Sequence, residues 1–429
     1  MGYELIITEK PNAALKIAQA LATGKPLKKN FKGVPYYEIT HGSKDIVVGC
    51  AVGHLYTVAE KEKKKGWTYP VFDIAWAESG ETKKESAYTK KYLSALKKLG
   101  KEAEEFTIAT DYDIEGEVIG LNVMRFACNQ KDANRMKFST LTKQDLVEAY
   151  DSKMNHIDWG QALAGETRHF LDWMYGINLS RALTLSIKHA TGMHKILSSG
   201  RVQGPTLKII VDKEKEISEF KSEPYWEMEL DGEVKSGKLL ALHNENPFWN
   251  KEKASNILVK VKPEKKGKVR NVKRSEFRQS PPFPFDLTTL QTEAYRTHNI
   301  SPSATLELAQ NLYLDGAISY PRTSSQQLPP AIGYSKILKD LSRQENYSKE
   351  CAFLLDRSNI KPNNGAKTDP AHPAIYPTGV LPTMKGKELQ LYDLIVRRFM
   401  ATFGDPAVRE TVEIEIDLKQ ELFTAKGTR

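Results

Sequence analysis

The stretch Ala317-Ile318-Ser319-Tyr320-Pro321-Arg322-Thr323 sets a phenol two residues from a guanidinium, after a short apolar run. Proline cannot donate to a sheet ladder, so regular pairing should stop at Pro321 and leave Tyr320 at the edge of an element. A neutral phenol attacks phosphorus poorly, its ordinary pKa being about 10. A cation such as Arg322 would favour the phenolate and steady the charge growing on a phosphate. The plainer alternative is a buried tyrosine at a strand end, followed by a surface turn. A second group, Asp111-Tyr112-Asp113-Ile114-Glu115-Gly116-Glu117, packs four carboxylates into seven residues. They repel one another unless a cation or solvent compensates. Mg2+ asks for a few carboxylate oxygens and keeps some of its waters. A calcium loop fits less well, because Asn122 stands where the bidentate glutamate belongs and a strand precedes the segment. A solvated acidic loop is the remaining alternative. The third group is Glu9-Lys10, at the carboxyl end of an apolar strand and facing a helix N-terminus, where α/β sheets bind ligands. A solvated strand-end ion pair would look the same.

Several elements must position these groups. Residues 3–8 read as a buried strand, and Pro11 opens a helix with an apolar stripe of Ala14, Ile17, Ala18 and Leu21. Residues 36–40, 45–52 and 106–110 read as strands, and a helix is expected to start near Val118. One open parallel sheet would then gather Glu9, Asp111, Asp113 and Glu115. Thr142-Lys143-Gln144-Asp145 resembles a capping box, opening a helix to about residue 150. A mostly helical pattern from about 159 to 189 sets Arg168, Asp172, Arg181 and Lys188 among apolar positions. It breaks at Ser198-Ser199-Gly200-Arg201-Val202-Gln203-Gly204-Pro205, before a helix over 206–216. Arg201 and Gln203 on that turn could reach phosphate oxygens or cap a helix. From Pro224 the pattern turns to strands, over 225–230, 239–243 and 268–274, and Pro281 to Phe285 reads as a stiff linker. Helices follow at 287–295 and from Pro302. The loop around Asp369 leads to His372, which could bind a phosphate or close the loop. A helix over 386–402 and an alternating strand over 408–418 end the chain.

The 429 residues exceed one domain. With 63 Lys and Arg against 54 Asp and Glu the chain carries +9, which suits a polyanionic partner. Cys50, Cys128 and Cys351 lie far apart with no C-x-x-C, so a zinc ribbon and a disulfide framework are excluded, as in a reducing compartment. No apolar run approaches the ~20 residues of a membrane span, and the N-terminus reads as a strand, not a signal peptide. Lys61 to Lys65 is a charge run of the kind that makes a solvated face. Gly232 to Lys238 comes close to a nucleotide-binding loop, but Leu239 replaces the magnesium-binding hydroxyl and no helical stripe follows, so ATP use is not expected.

Seven segments, in this order, resemble the type IA DNA topoisomerase family, above all the archaeal topoisomerase I and topoisomerase III group. They are Ile6 to Pro11, Ala109 to Glu117, Gly176 to Ala182, Gly200 to Thr206, Pro282 to Gln291, Ile318 to Thr323 and Ala371 to Ala374. The resemblance implies a multidomain α/β plus α and β fold: a Toprim domain with a Rossmann-like parallel sheet, then helical, β-arch and tyrosine-bearing domains around a hole. The expected limits are 1–155 for the Toprim domain, with a short insertion near 30–65, 156–220 for the helical part and 221–281 for the arch. Residues 282–403 would carry the tyrosine, and 404–429 would be a truncated return strand of the arch. By position, Tyr320 would be the nucleophile on single-stranded DNA, keeping the 5′ end as a phosphotyrosine while the 3′ hydroxyl leaves. Arg322 and Lys10 would stabilise the phosphate, and Glu9 would manage the proton on the 3′ oxygen. Asp111 and Asp113 would hold Mg2+, with Glu115 as a third ligand. Arg168, Asp172, Arg201, Gln203 and His372 would position the strand.

An exchange of phosphodiester for phosphotyrosyl ester keeps the bond energy, so the implied enzyme is an ATP-independent isomerase that relaxes negative supercoils. Its expected partner is single-stranded or negatively supercoiled DNA, with a helicase as a further candidate, in the cytoplasm at the nucleoid. Weak sequence preference follows from backbone contacts. Two departures stand out. Tyr376 occupies a position where bacterial relatives usually carry arginine. The family usually returns through the arch and often adds zinc ribbons, whereas this chain stops at Arg429 and carries no zinc motif; a fragment or a short member is expected, with strand cleavage as its activity. Two competing readings use the same residues: a Toprim nuclease or primase-like enzyme in which Tyr320 is incidental, and a basic single-strand-binding module.

Overall fold

The computed structural model describes residues 2–62, 66–234, 237–381 and 383–429. Part of the lysine run (63–65) and part of the loop Gly232 to Lys238 (235–236) lie outside the described residues. The chain forms two compact units, Met1–Ile209 with Phe283–Phe403, and Ile210–Pro282 with Gly404–Arg429. The first unit runs β1 (Tyr3–Thr8), α1 (Pro11–Leu21), β2 (Leu27–Phe31), β3 (Val34–His41), β4 (Lys44–Cys50), β5 (Tyr56–Glu60), β6 (Ile74–Glu78) and α2 (Ser79–Thr82). It continues with α3 (Thr89–Glu102), β7 (Ala103–Ala109), α4 (Ile114–Asn122), β8 (Asn134–Arg135), α5 (Lys143–Asp151) and α6 (Trp159–Thr191). After α7 (Gln203–Glu219), the second unit contributes β9 (Glu229–Val234), β10 (Gly237–His243), α8 (Lys251–Val261) and β11 (Lys268–Gln279). The first unit resumes with α9 (Leu287–His298), α10 (Pro302–Leu314), α11 (Tyr334–Leu341), α12 (Ser348–Leu355) and α13 (Gly386–Ala401). The second ends with β12 (Ala407–Leu418) and β13 (Glu421–Thr428).

The main sheet has the order β2-β3-β4-β1-β7-β8. β1 lies between β4 and β7, parallel to both. The expected all-parallel sheet is corrected at one edge, where β2, β3 and β4 pair antiparallel. Their connections explain it. Phe31 pairs with Val34 across Lys32-Gly33, both at positive φ (51° and 84°), and so short a turn can only reverse the chain. Residues 27–50, which overlap the insertion expected near 30–65, therefore supply half of the sheet's strands.

β1 is buried on both faces, and its side chains alternate between two cores. Ile6 joins Ile17, Leu146, Leu290, Leu312, Tyr320 and Ile395. Leu5 and Ile7 join Leu96, Phe106 and Ile119. The first core spans α1 and α5 together with α9, α10 and α13, so residues 283–403 dock on one face of the sheet. Three local expectations are corrected. Helix α4 starts at Ile114, four residues early, because Asp113 caps it. Tyr320 is not in a strand: among the described residues its segment makes one isolated bridge, Ile318 to Pro377. Thr142 caps α5 as expected, its hydroxyl accepting from Asp145 N–H (3.4 Å), but the Asp145 carboxylate accepts from the backbone of Ser139 and Thr140 instead of completing the box. The second unit is an antiparallel sheet in the order β11-β12-β13-β10-β9 over a small core that includes Ala254 and Val261 of α8.

Candidate active site

Register explains why distant carboxylates meet. Thr8 pairs with Ala109, so β1 and β7 end at the same level, and Glu9-Lys10 and Thr110-Asp111 leave the sheet side by side. After Asp111 the chain turns tightly into α4. Asp113 accepts a hydrogen bond from Gly116 N (2.8 Å). Gly116 is required there, because a Cβ would lie 2.0 Å from the Asp111 carbonyl oxygen. Beneath the turn Arg135 is fully buried. It pairs with Glu117 and donates to the carbonyls of Thr110 (2.9 Å) and Asp111 (3.0 Å).

Tyr320 arrives from the far end of the chain. Its backbone N–H donates to Ser139 O (2.8 Å), and Ser319 N–H donates to Tyr376 O (2.9 Å). These bonds and the surrounding core fix the segment, and Tyr320 is only 2% exposed. Its hydroxyl donates to Asp113 Oδ2 at 2.5 Å. Tyr313 of α10 donates to Asp111 Oδ1 at 3.1 Å, with its ring 5.2 Å from that of Tyr320. On the other side the His372 ring lies 4.6 Å from Tyr320. His372 Nε2 sits 3.0 Å from the Tyr112 carbonyl, and Nδ1 sits 3.0 Å from Ser139 Oγ. A carbonyl can only accept, so Nε2 carries the proton and Nδ1 accepts from the serine. Burial lowers the His372 pKa to about 4, which keeps the ring neutral. The histidine thus holds the tyrosine pocket together, with both nitrogens engaged.

The pocket is short of positive charge. Lys10 Nζ lies 3.3 Å from both Glu9 Oε1 and Asp111 Oδ2. Burial works to lower the Lys10 pKa, but Asp111 and Glu9 outweigh it and raise it. One lysine does not satisfy three carboxylates. Burial and then Asp111 push Glu9 up to about 7, and burial raises Asp111 despite Lys10. The expectation that Arg322 favours the phenolate is corrected. Burial, then Asp111 and Asp113, drive the Tyr320 pKa far above its ordinary value. Arg322 is exposed and, among the described residues, has no hydrogen-bond or ion-pair partner. An all-oxygen donor set with excess negative charge fits a hard divalent cation such as Mg2+.

Glu115, expected as a third ligand beside the aspartates, faces elsewhere. Its Oε1 lies 3.1 Å from Arg168 NH1, and its Oε2 lies 3.1 Å from His54 Nε2 and 3.0 Å from His169 Nε2. Hydrogen bonds from His169 and then His54 hold its carboxyl far below the usual range. Arg168 continues to Asp172 (3.7 Å), which Arg201 grips with Nε at 2.5 Å and NH2 at 3.1 Å. Arg201 thus caps no helix; Gln203 begins α7, three residues before the expected start, and takes a weak bond from Ser198 (3.4 Å). Arg168, Asp172, Arg201 and Gln203 are exposed, and the first three line up behind Glu115. Tyr376 is buried, and its backbone clamps Ser319. Sequence reasoning missed Tyr313, Arg135, Ser139, His54 and His169. Tyr313 ends the stripe of α10 just ahead of Tyr320, a signal that could have been read; the others show only through their tertiary partners.

Comparison with known proteins adds independent findings. A Toprim domain model matches residues 4–141, and a DNA topoisomerase model matches residues 156–429. The chain is 46% identical over 430 residues to DNA topoisomerase 1 of Pyrococcus horikoshii, covering 99% of this chain and 62% of that protein. It is 47% identical over 427 residues to DNA topoisomerase 1 of Methanocaldococcus jannaschii, covering 99% of this chain and 55% of the relative. The solved structure of full-length topoisomerase I from Thermotoga maritima aligns with a TM-score of 0.69 at 25% identity, covering 99% of this chain and 65% of that one. The chain therefore spans about three fifths of the length of the curated relatives it matches.

Proposed function

The chain belongs to the DNA topoisomerase family, and on that premise we propose that it cleaves and reseals single-stranded DNA through Tyr320, without ATP, as the catalytic part of a type IA enzyme relaxing negative supercoils. The observation that carries the reading is the bond from Tyr320 to Asp113, which joins the candidate nucleophile to the acidic turn across 207 residues of sequence. Tyr320 Oη would form the new bond to the backbone phosphorus while the bond to the 3′ oxygen breaks. The phenol's proton already points at Asp113. Glu9, whose carboxyl burial and then Asp111 raise above its ordinary value, suits delivery of a proton to the leaving 3′ oxygen. Lys10 and the exposed Arg322 would meet the phosphate's charge. Asp111 and Asp113 would hold Mg2+, which supplies the positive charge that the carboxylates and the phosphodiester lack. Arg168, Arg201 and Gln203 would receive the strand behind Glu115, and His372 would hold Tyr320 in line.

In this arrangement Tyr320 is buried and protonated, so the strand must part Tyr320 from Asp113 before attack. The same reading places the protein on DNA at the nucleoid, with a helicase as a candidate partner. The test uses an end-labelled single-stranded oligonucleotide with Mg2+, quenched in denaturant. A covalent adduct at the 5′ phosphate, absent in Tyr320→Phe, is expected. Cleavage that persists in the variant would instead identify a metal-dependent nuclease.

A further inference from the structure

We propose that His54, Glu115 and His169 form a binding site for one first-row transition ion of the zinc(II) class, separate from the aspartate site. The three ligand atoms come from different elements: the loop before β5, the first turn of α4, and α6. Glu115 Oε2 stands 3.1 Å from His54 Nε2 and 3.0 Å from His169 Nε2. Metal bonds of ~2.0–2.2 Å place neighbouring ligand atoms about 3–3.4 Å apart, so both edges to Glu115 already match, and all three ligand atoms lie within 4.8 Å of one another. The side chains are 33%, 32% and 26% exposed, which leaves a path from solvent.

The support behind each ligand is in place. Arg168 holds the other oxygen of Glu115, leaving Oε2 to the histidines. Ser79 Oγ donates to the His54 carbonyl at 3.0 Å. Gly165 lets α6 close on α4: a Cβ there would lie 2.4 Å from Ile114 O. In the ion-free site His54 Nε2–H donates to Glu115, and Nδ1 is buried with no partner among the described residues. An ion at Nε2 would move the ring's proton to Nδ1 and take up the Nε2 lone pair. Two imidazoles and one carboxylate suit zinc, cobalt or nickel, whereas Mg2+ prefers oxygen alone. The two sites would sort ions by softness, and three protein ligands leave a position for water. The cysteine spacing excludes a thiolate ribbon only and says nothing of this set. Without an ion, Glu115 simply accepts two imidazole N–H groups. With one, it would be held out of the Mg2+ set, a consequence that rests on the catalytic reading above, whereas binding itself does not.

The test titrates Co2+ into the full chain with a large excess of Mg2+ and no DNA. It follows Co2+ visible absorption and the fluorescence of Trp76, whose ring lies 5.4 Å from that of His169. Saturation at one equivalent, undisturbed by Mg2+ and weakened roughly tenfold or more by His54→Gln with His169→Gln, is expected. Displacement by Mg2+, or equal binding by a folded variant, would overturn the proposal. If the variant fails to fold by circular dichroism, the wild type decides: paramagnetic shifts of two isotope-labelled imidazoles support the site, and their absence refutes it. Because no DNA is present, a failure of strand cleavage cannot be mistaken for a failure of this site.

Discussion

Replacing Glu9 by glutamine should stabilise the protein in alkaline, Mg2+-free solution and leave it nearly unchanged in acid. Folded Glu9 has a pKa of about 7 against an ordinary 4.5, chiefly through burial and then Asp111. Between those values the folded state keeps a proton that the unfolded chain has lost. The contribution of Glu9 is therefore full below 4.5 and is lost as pH rises through about 7. At ~1.4 kcal/mol per pH unit the interval amounts to about 3 kcal/mol. Glutamine cannot ionise, so the variant escapes the loss. Urea unfolding followed by tryptophan fluorescence, in chelator, should show the variant gaining on wild type from pH ~4.5 upward, with a plateau above pH ~8. Taking the difference between the two proteins cancels the unfolding of the second unit. Mg2+ should shrink the gap by supplying the missing positive charge. A difference independent of pH, or a destabilised variant above pH ~8, would refute the account of a pocket short of positive charge.

Arg135→Met should destabilise the first unit by about 3–5 kcal/mol in denaturant unfolding, because Glu117 and the Thr110 and Asp111 carbonyls would lose their buried partner. Gly116→Ala should abolish adduct formation while circular dichroism stays near wild type, since the added carbon would strike the Asp111 carbonyl and shift the acidic turn.

The framework of the site was legible in the sequence. β1 and α1 were visible to the residue, because an apolar strand, a proline at the first helical position and a single stripe are local signals. Strand ends place Glu9 and Asp111 whatever else the chain does. Side-chain direction is not local. Glu115 lies two residues from Asp113, yet it turns to His54, Arg168 and His169, which only tertiary packing brings near. The influence of Arg322 on Tyr320 was overestimated because spacing along the chain ignores burial: Pro321 sends the tyrosine inward and the arginine outward. Helix α8 was readable and missed. Asn250 caps it, and Ala254, Ile257 and Val261 make its stripe, but neighbouring strands dominated the window.

Helix α6 behaves mechanically as a beam with a very short inner arm. Its 33 residues span about 50 Å, and one close seat, Gly165 against Ile114, lies near its start. His169 is about 6 Å beyond that fulcrum, while Thr191 is about 39 Å beyond it. A tilt that swings the distal end by about 4 Å displaces His169 by about 0.6 Å. The grip on Glu115 is thus geared down, so wide excursions at the outer end of the beam arrive there as sub-ångström adjustments.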